Sequence, residues 1–351
     1  MSILIILDTN LQPQTVIDTF ESLLWVERYS DVGDFEIFTT VNDKMLQFLR
    51  SDYYIVREDS EHVMIIEDIK INSDSETGSI ITVSGRSLES ILDRRIIWNR
   101  TNIEGNLQNG ILKLLNENVI EPSIYDRKIE NFVFEASTDP RITSISASGQ
   151  YEGEGLLETI KTLCDINGLG FLIKLEEGEF RFKLYKGEDR SYDQNENTYV
   201  EFTPKFDNLL NSNYEETKRS LKTVSLVVGE GESDVRQSTT VGGGVDLSRR
   251  EVFTDASDLT RVIDGIELSI GEYNTYLEQR GREYLLENVF VELFDGEINT
   301  SVMYRFNEDF FIGDIVQIAN EYGMESKSRV TEIIYSESTE GKDIYPTFVK
   351  I

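Results

Sequence analysis

The chain has 351 residues, 39% hydrophobic and 28% charged, a balance that excludes a disordered chain and predicts two or three globular domains. Its 34 basic and 65 acidic side chains leave a formal charge of −31, which excludes electrostatic capture of nucleic acid or of an anionic membrane. The single cysteine, Cys164, excludes an internal disulfide and a cysteine-based zinc site.

Two readings of the acidity stand side by side. One is solubility, since acidic surfaces resist aggregation; the other is a wall along which a polyanion passes without adhering. The first ten residues, MSILIILDTN, lack the basic flank and long apolar run of a secretory signal. No stretch approaches the ~20 apolar residues of a membrane span, so synthesis and folding in the cytoplasm are expected.

In chain order, strands are predicted at 3–7 and 16–20, then at 24–29, 35–40, 53–57, 63–71 and 80–85, from apolar residues alternating with period two. Asp31-Val32-Gly33-Asp34 breaks one pair, and the polar stretch 72–78 forms a hairpin tip. That tip faintly resembles a calcium loop, but its glycine is one position late and the closing glutamate is missing. Ser87-Leu88-Glu89-Ser90 predicts a capped short helix across one end of this set. Residues 1–98 therefore read as a small β-barrel.

Residues 99–198 change character. Leu107, Ile111, Leu114, Leu115 and Val119 recur at helical spacing over 106–118. A strand at 131–135 follows, then a serine-rich loop or edge at 143–149. A helix at 156–165 stops at Asn167-Gly168, and strands at 170–175 and 179–184 are joined by Glu176-Glu177-Gly178. Cys164 shares helical spacing with Leu157, Ile160 and Leu163, so it reads as a buried thiol rather than a nucleophile. An α/β insert is expected here, ending in an acidic loop at 187–198.

Residues 199–351 resume extended structure at 199–203 and 221–228. The glycine-rich 229–247 lacks the Lys-Ser/Thr of a phosphate-binding loop and reads as a hairpin. A long helix is predicted at 269–287. Strands follow at 289–293, 299–306, 314–318, 328–335 and 345–350, with turns at Asp295-Gly296 and Glu340-Gly341. The fold class is thus α+β and β-dominated, with two tube-like β-barrel domains at the chain ends and an α/β insert between them.

Catalytic signatures are sparse. The lone histidine, His62, lies in Asp59-Ser60-Glu61-His62 and reads as an exposed turn residue. With 65 acidic residues, carboxylate pairs carry no weight. No catalytic, cofactor-binding or metal-ligating residue is assigned. Interfacial candidates are Trp25, Tyr53, Tyr54 and Phe311, with core packing an equal alternative for each.

Three stretches, WVERYSDVGDFEI, DYYIVREDSEHVMIIEDIKI and ITVSGRSLESILDRRII, together with the ending FIGDIVQIANEYGMESKSRVTEIIYSESTEGKDIYPTF, resemble ReqiPepy-type siphovirus tail proteins, a branch of the phage baseplate-hub or tail-associated proteins. The middle, GLLETIKTLCDINGLGFLIKLEEGEFRFKLYKG, is similar to their helix-hairpin insert. The resemblance implies a structural, non-enzymatic virion protein at the distal tail tip. It implies a homotrimer whose paired barrels form a pseudo-sixfold ring on a tail-tube or distal-tail ring. DNA would pass through an acidic channel without specific binding. A spike, fibre or wall-degrading protein is an expected further partner, because the chain ends directly after its last barrel. Two other classes are weighed: a carbohydrate-binding module, which needs a flat cluster of exposed Tyr or Trp, and a carboxylate hydrolase, which needs two acids converging in a cleft.

Overall fold

The computed structural model describes residues 2–74, 78–231, 236–263, 265–298 and 303–351. The N-terminal unit contains β1 (Leu4–Leu7), β2 (Pro13–Ile17), β3 (Ser22–Arg28), β4 (Asp34–Thr40), α1 (Asp43–Phe48), β5 (Tyr54–Arg57), β6 (Val63–Asp74) and β7 (Gly78–Ser87). Strand alternation sends Leu4, Ile6, Trp25, Phe35, Ile37 and Ile55 to one face, where they meet Met64, Ile66, Ile81 and Val83 in a single buried cluster. One cluster fed by so many strands requires the sheet to curl around it, and Met45 of α1 plugs the same core. The tip residues 75–77 of the β6–β7 hairpin lie outside the described residues.

A 3-10 helix at Leu88–Arg94 follows, as expected, but without the predicted cap. The Ser87 hydroxyl accepts instead from Gly33 N–H at 2.8 Å, holding the β3–β4 turn, and Glu89 accepts from Ile173 N–H at 2.7 Å. Ser87 thus braces the first unit internally, and Glu89 clamps it to the insert.

The insert holds β8 (Thr101–Asn106), α2 (Leu107–Leu115), β9 (Phe132–Glu135), α3 (Pro140–Thr143), β10 (Ser146–Tyr151), α4 (Leu156–Asn167), β11 (Gly170–Glu176) and β12 (Glu179–Tyr185). Part of the serine-rich stretch is strand β10, because it finds a partner in β8 that its polar composition does not announce. Gly168, at φ 62°, ends α4 in the left-handed region that favours glycine. The insert core extends onto Val63, Ile65, Leu88, Ile91 and Leu92 of the first unit. Cys164 is fully buried within it, and burial pushes its thiol well up, which leaves it unreactive.

Beyond the acidic loop come β13 (Glu201–Phe202) and β14 (Leu209–Thr217). A small lobe then interrupts: β15 (Val224–Val228), β16 (Ser238–Gly242), β17 (Glu251–Asp255), β18 (Val262–Ile263), β19 (Ile266–Glu267) and α5 (Ile270–Leu286). Val227, Leu259, Tyr273 and Leu277 form its own core. Within the glycine-rich stretch Ser238–Gly242 form β16, paired antiparallel with β15, while residues 232–235 lie outside the described residues, and α5 begins with a Ser269/Glu272 capping box.

The chain then completes a second curled unit with β20 (Val291–Ile298), β21 (Ile315–Ala319), β22 (Glu325–Ser338) and β23 (Gly341–Lys350). The predicted turn at Asp295-Gly296 is wrong: both residues continue β20, paired to Asn213 and Ser212, because β20 has neighbours on both edges. Of the strand expected at 299–306, residues 299–302 lie outside the described residues, and Phe306 makes only an isolated bridge to Phe310.

Among the described residues the two curled units form one thirteen-stranded sheet, ordered β14-β20-β23-β22-β3-β4-β7-β6-β5-β1-β2, with β21 on β22 and β13 on β21. The path does not return on itself. The join is β22: residues 325–329 pair with β21, and Glu332–Ser338 pair with Arg28–Ser22 of β3. At the register shift between Val330 and Glu332, Thr331 accepts a hydrogen bond from Tyr29 N–H at 2.9 Å.

Candidate functional site

The most informative site lies where the two curled units and the insert meet. Alternation in β3 places Glu27 on the face of Leu23 and Trp25, so a carboxylate enters a core position, and it is only 4% exposed. It is satisfied there: Trp25 Nε1 donates at 3.1 Å, the Ser60 hydroxyl at 2.5 Å and Arg57 Nη2 at 3.5 Å. Arg57 is equally buried, with its guanidinium 3.8 Å from the Tyr335 ring centroid and 5.1 Å from that of Trp25. Arg57 Nε lies 2.6 Å from Asp59 Oδ1, an ion contact without the alignment of a hydrogen bond. Buried charge is tolerated here because it is paired and stacked.

The β5–β6 turn next to this pair carries Glu58, Asp59, Ser60, Glu61 and His62. His62 is 4% exposed, which corrects the expected exposed turn histidine. The cause lies in Glu61, which bridges Lys174 and Lys183 of the β11–β12 hairpin and holds the turn against the insert. Burial raises the Glu61 carboxyl pKa, but the hydrogen bond from Lys174 and the charges of both lysines outweigh it and leave it lowered. Burial and the adjacent Lys174 lower the pKa of Lys183.

A cavity of about 610 Å³ opens between these elements. Its walls come from the turn (Glu58 to His62), from the insert (Leu172, Lys183, Tyr185) and from the second unit (Phe306, Asn307, Phe311, Ile312), with Glu27 also lining it. Asn307, at φ 65°, sits in the left-handed turn that brings Phe306 back beside Phe310.

Tyr29 ties the junction together. Its hydroxyl lies 3.0 Å from Gly168 O, its ring packs edge-on against Tyr185 at 5.1 Å, and Arg329 lies over it at 5.1 Å. Burial raises its hydroxyl pKa to about 12, so it stays a neutral donor. The backbone crowds around this point: a Cβ on Gly187 would lie 2.0 Å from the Gly313 carbonyl. Nearby, Asp314 is 2% exposed and accepts from Glu188 N–H at 2.7 Å, Arg190 Nε at 2.6 Å and Phe311 N–H at 3.0 Å, pinning the acidic loop to the second unit.

Of the four aromatic candidates, only Phe311 faces this site, at 40% exposure. Trp25 is fully buried core, and Tyr53 and Tyr54 are half-buried, packed respectively on the first core and on that of the insert. Sequence reading missed Glu27, Tyr29, Arg57 and Asp314. A signal existed for two of them, since Glu27 follows Leu23-x-Trp25 and Arg57 follows Ile55 at core-facing positions of opposite charge.

The geometry does not assemble a nucleophile. Ser60 donates to Glu27, and His62 Nδ1 has no hydrogen-bond partner among the described residues, so no serine-histidine relay exists. No group of three or more potential ligands able to hold a metal occurs among the described residues. No helix of the described residues is long and apolar enough to cross a membrane.

Comparison with known proteins bears on the whole chain. The sequence profile of the family described as Siphovirus ReqiPepy6 Gp37-like protein matches residues 3–348. No curated protein matches. The fold is that of the 43 kDa tail protein of prophage MuSo2 from Shewanella oneidensis (TM-score 0.63, 11% identity, covering 99% of this chain and 98% of that one). It is also that of prophage tail protein gp18 from Listeria monocytogenes (TM-score 0.58, 13% identity, 99% and 94%) and of a tail protein from Neisseria meningitidis (TM-score 0.58, 10% identity, 99% and 96%). All three of these solved structures are described as tail proteins, two of them from prophages.

Proposed function

Because the chain belongs to the Siphovirus ReqiPepy6 Gp37-like family and is a phage tail-associated protein, we propose that it is the tail-tip hub, a homotrimer closing or extending the distal end of the tail tube. The observation that carries this reading is the thirteen-stranded sheet, in which two curled units with separate cores are fused through one strand. In this reading each curled unit is a tube-like barrel, residues 1–98 and 199–351, with the insert 99–198 peripheral. Three copies of two barrels give a pseudo-sixfold ring that matches a hexameric tube or distal-tail ring. The small lobe then projects from the second barrel as an added decoration.

The net charge of −31 supplies the second half of the proposal. A channel wall rich in carboxylates lacks the counterion-release affinity of a basic wall, so DNA slides past during ejection. A spike, fibre or wall-degrading protein docked at the tip would provide receptor binding or wall cleavage.

Two measurements test this. Antibody labelling of the source phage or tail-like particles, viewed by negative-stain microscopy, is expected to decorate the distal tip alone; unlabelled tips overturn the placement. Light scattering of the purified chain is expected to give three times 40.3 kDa. A persistent monomer at micromolar concentration, or a ring with a basic lumen, overturns the trimeric-channel part.

A further inference from the structure

We propose that an exposed arginine-tryptophan face of the insert docks a partner polypeptide through one acidic side chain flanked by apolar residues. The inference stands on this surface and does not depend on the hub reading.

Two segments build the face. After the 3-10 helix at Leu88–Arg94 the backbone turns extended at Arg95, and alternation then sends Ile97 into the insert core and leaves Ile96 and Trp98 outside. Beside it the 3-10 turn Tyr125–Arg127 leaves Ile124 and Tyr125 exposed. Asn118, itself buried, locks the two together: its Oδ1 accepts from Trp98 N–H and from Arg127 Nη2, each at 3.1 Å. Arg127 Nη2 also donates to Ile96 O at 2.7 Å, Arg95 Nε donates to Arg127 O at 2.9 Å, and the Arg127 guanidinium lies 5.1 Å from the Trp98 ring centroid. The face is therefore set before any partner arrives, which lowers the ordering cost of binding.

Its charge is unmet. In a chain with 65 acidic against 34 basic side chains, Arg95 and Arg127 stand together and donate only to main-chain carbonyls and to Asn118. Neither forms an ion pair among the described residues, whereas the adjacent Arg94 has Asp52 at 3.8 Å. Burial and then Arg94 lower the pKa of Arg95, and burial and then Arg95 lower that of Arg127, with no carboxylate acting on either. An incoming carboxylate relieves that repulsion and meets the free guanidinium donors. The independent observation is apolar: Trp98 is 52% and Tyr125 73% exposed, beside Ile96 and Ile124. Trp, Tyr and Arg are the side chains that anchor protein interfaces, and the two isoleucines suit a peptide's apolar side chains rather than a phosphate. Exposed Asp126 on the turn, with Glu121 and Glu130 flanking it in the chain, admits one carboxylate but repels an extended polyanion such as nucleic acid.

The test uses the full chain labelled with 15N-tryptophan, whose two indole signals report separately: Trp98 on the face, and Trp25, fully buried on Glu27, as the internal reference. Acetyl-Leu-Glu-Leu-amide is titrated in, with its glutamine twin as the uncharged control. A saturable shift of the Trp98 indole alone is expected, with a Kd on the order of 1 mM for so small a probe and binding at least about threefold weaker for the twin. Arg95→Gln is expected to weaken binding about fivefold, and Arg95→Lys, which keeps the charge but loses the fork, about twofold. The lysine variant serves if Arg95→Gln disturbs the Trp25 signal. Equal shifts with the twin, movement of Trp25, or no shift by about twenty times the expected Kd overturn the proposal. A shift elicited by a thymidine oligonucleotide and not by the peptide would also overturn it and assign the face to phosphate. A Trp98 signal that moves on diluting the chain alone would overturn it in favour of a second copy as occupant.

Discussion

The two curled β-units differ in how their strands are supplied. The first is built from one uninterrupted stretch, β1 to β7. In the second, β14 and β20 pair as neighbours from Thr217↔Val291 to Leu209↔Ile298, with the whole lobe between them in sequence. Closing a loop of that length costs about 3 kcal/mol more entropy than a two-residue hairpin. The lobe reduces this by closing its own base, where Lys222 N–H donates to Asn288 O at 2.8 Å. Once folded, it presents β14 and β20 to each other as a short turn would. The lesson is an order of events: the pairings within the first unit reach no farther than from Leu4 to Arg57, whereas the second joins Leu209 to Ile298 and waits for its insertion.

The sharpest way to break this comparison is Trp25→Ala. Trp25 is fully buried, donates to Glu27 and underlies Arg57, so its loss is expected to destabilise the first unit by about 4 kcal/mol. Urea unfolding followed by the fluorescence of the other tryptophan, Trp98, whose ring lies beside Arg127 of the insert, tells whether that loss spreads. A midpoint shift at Trp98 is expected, because Val63, Ile65 and Leu88 of the first unit pack in the core of the insert.

Gly187→Ala attacks the second unit's attachment. The added Cβ would meet the Gly313 carbonyl at 2.0 Å, and a loss of about 3 kcal/mol is expected as the backbones separate. Hydrogen exchange should rise at Glu188, Arg190 and Ile315, whose amides cross this seam or border it, while β4 and β7 keep their protection.

A pH titration sharpens the contrast at the insert seam. Asp165 accepts from the Ser30 hydroxyl and stands near Lys161, Asp31 and Glu158; burial raises its carboxyl to about 6 from 3.8. The folded state therefore binds this proton more tightly than the unfolded chain. Its stabilisation is complete below pH 3.8 and is lost as pH rises through about 6, worth about 2 kcal/mol after allowing for residual solvent. Asp165→Asn should flatten that part of the stability profile measured by urea midpoints between pH 4 and 7.

The smallest effect concerns the lobe. Ser269→Ala removes the N-cap of α5 and is expected to cost about 1 kcal/mol. Pulse-labelled exchange during refolding should then show delayed protection in β14 and β20 but not in β3 to β7. Simultaneous protection of all these strands in the parent chain would contradict the proposed order.

The contrast between the units also explains what was legible in the sequence. Strands β3 to β7 were readable because each alternates cleanly and pairs with a near neighbour in the chain. Asp295-Gly296 misled because a strong turn signal sits where long-range pairing on both edges holds the backbone extended. β8 and β10 were hidden by polar composition, since their pairing spans α2 and β9. At the candidate site, Phe311 was legible as an exposed aromatic of the last β-unit. His62 was misread because its burial arises from Glu61 gripping two lysines more than a hundred residues away.

Strand β22 has a mechanical consequence. Its first half belongs to the second unit, its second half is laced to β3, and β23 runs along its other edge. A load applied along the strand reaches the seven residue pairs from Glu332↔Arg28 to Ser338↔Ser22 in shear, so their hydrogen bonds share it instead of peeling one by one. The two units therefore behave as a single stiff beam. Under tension a hinge between the two halves of this chain would have to break these pairs first.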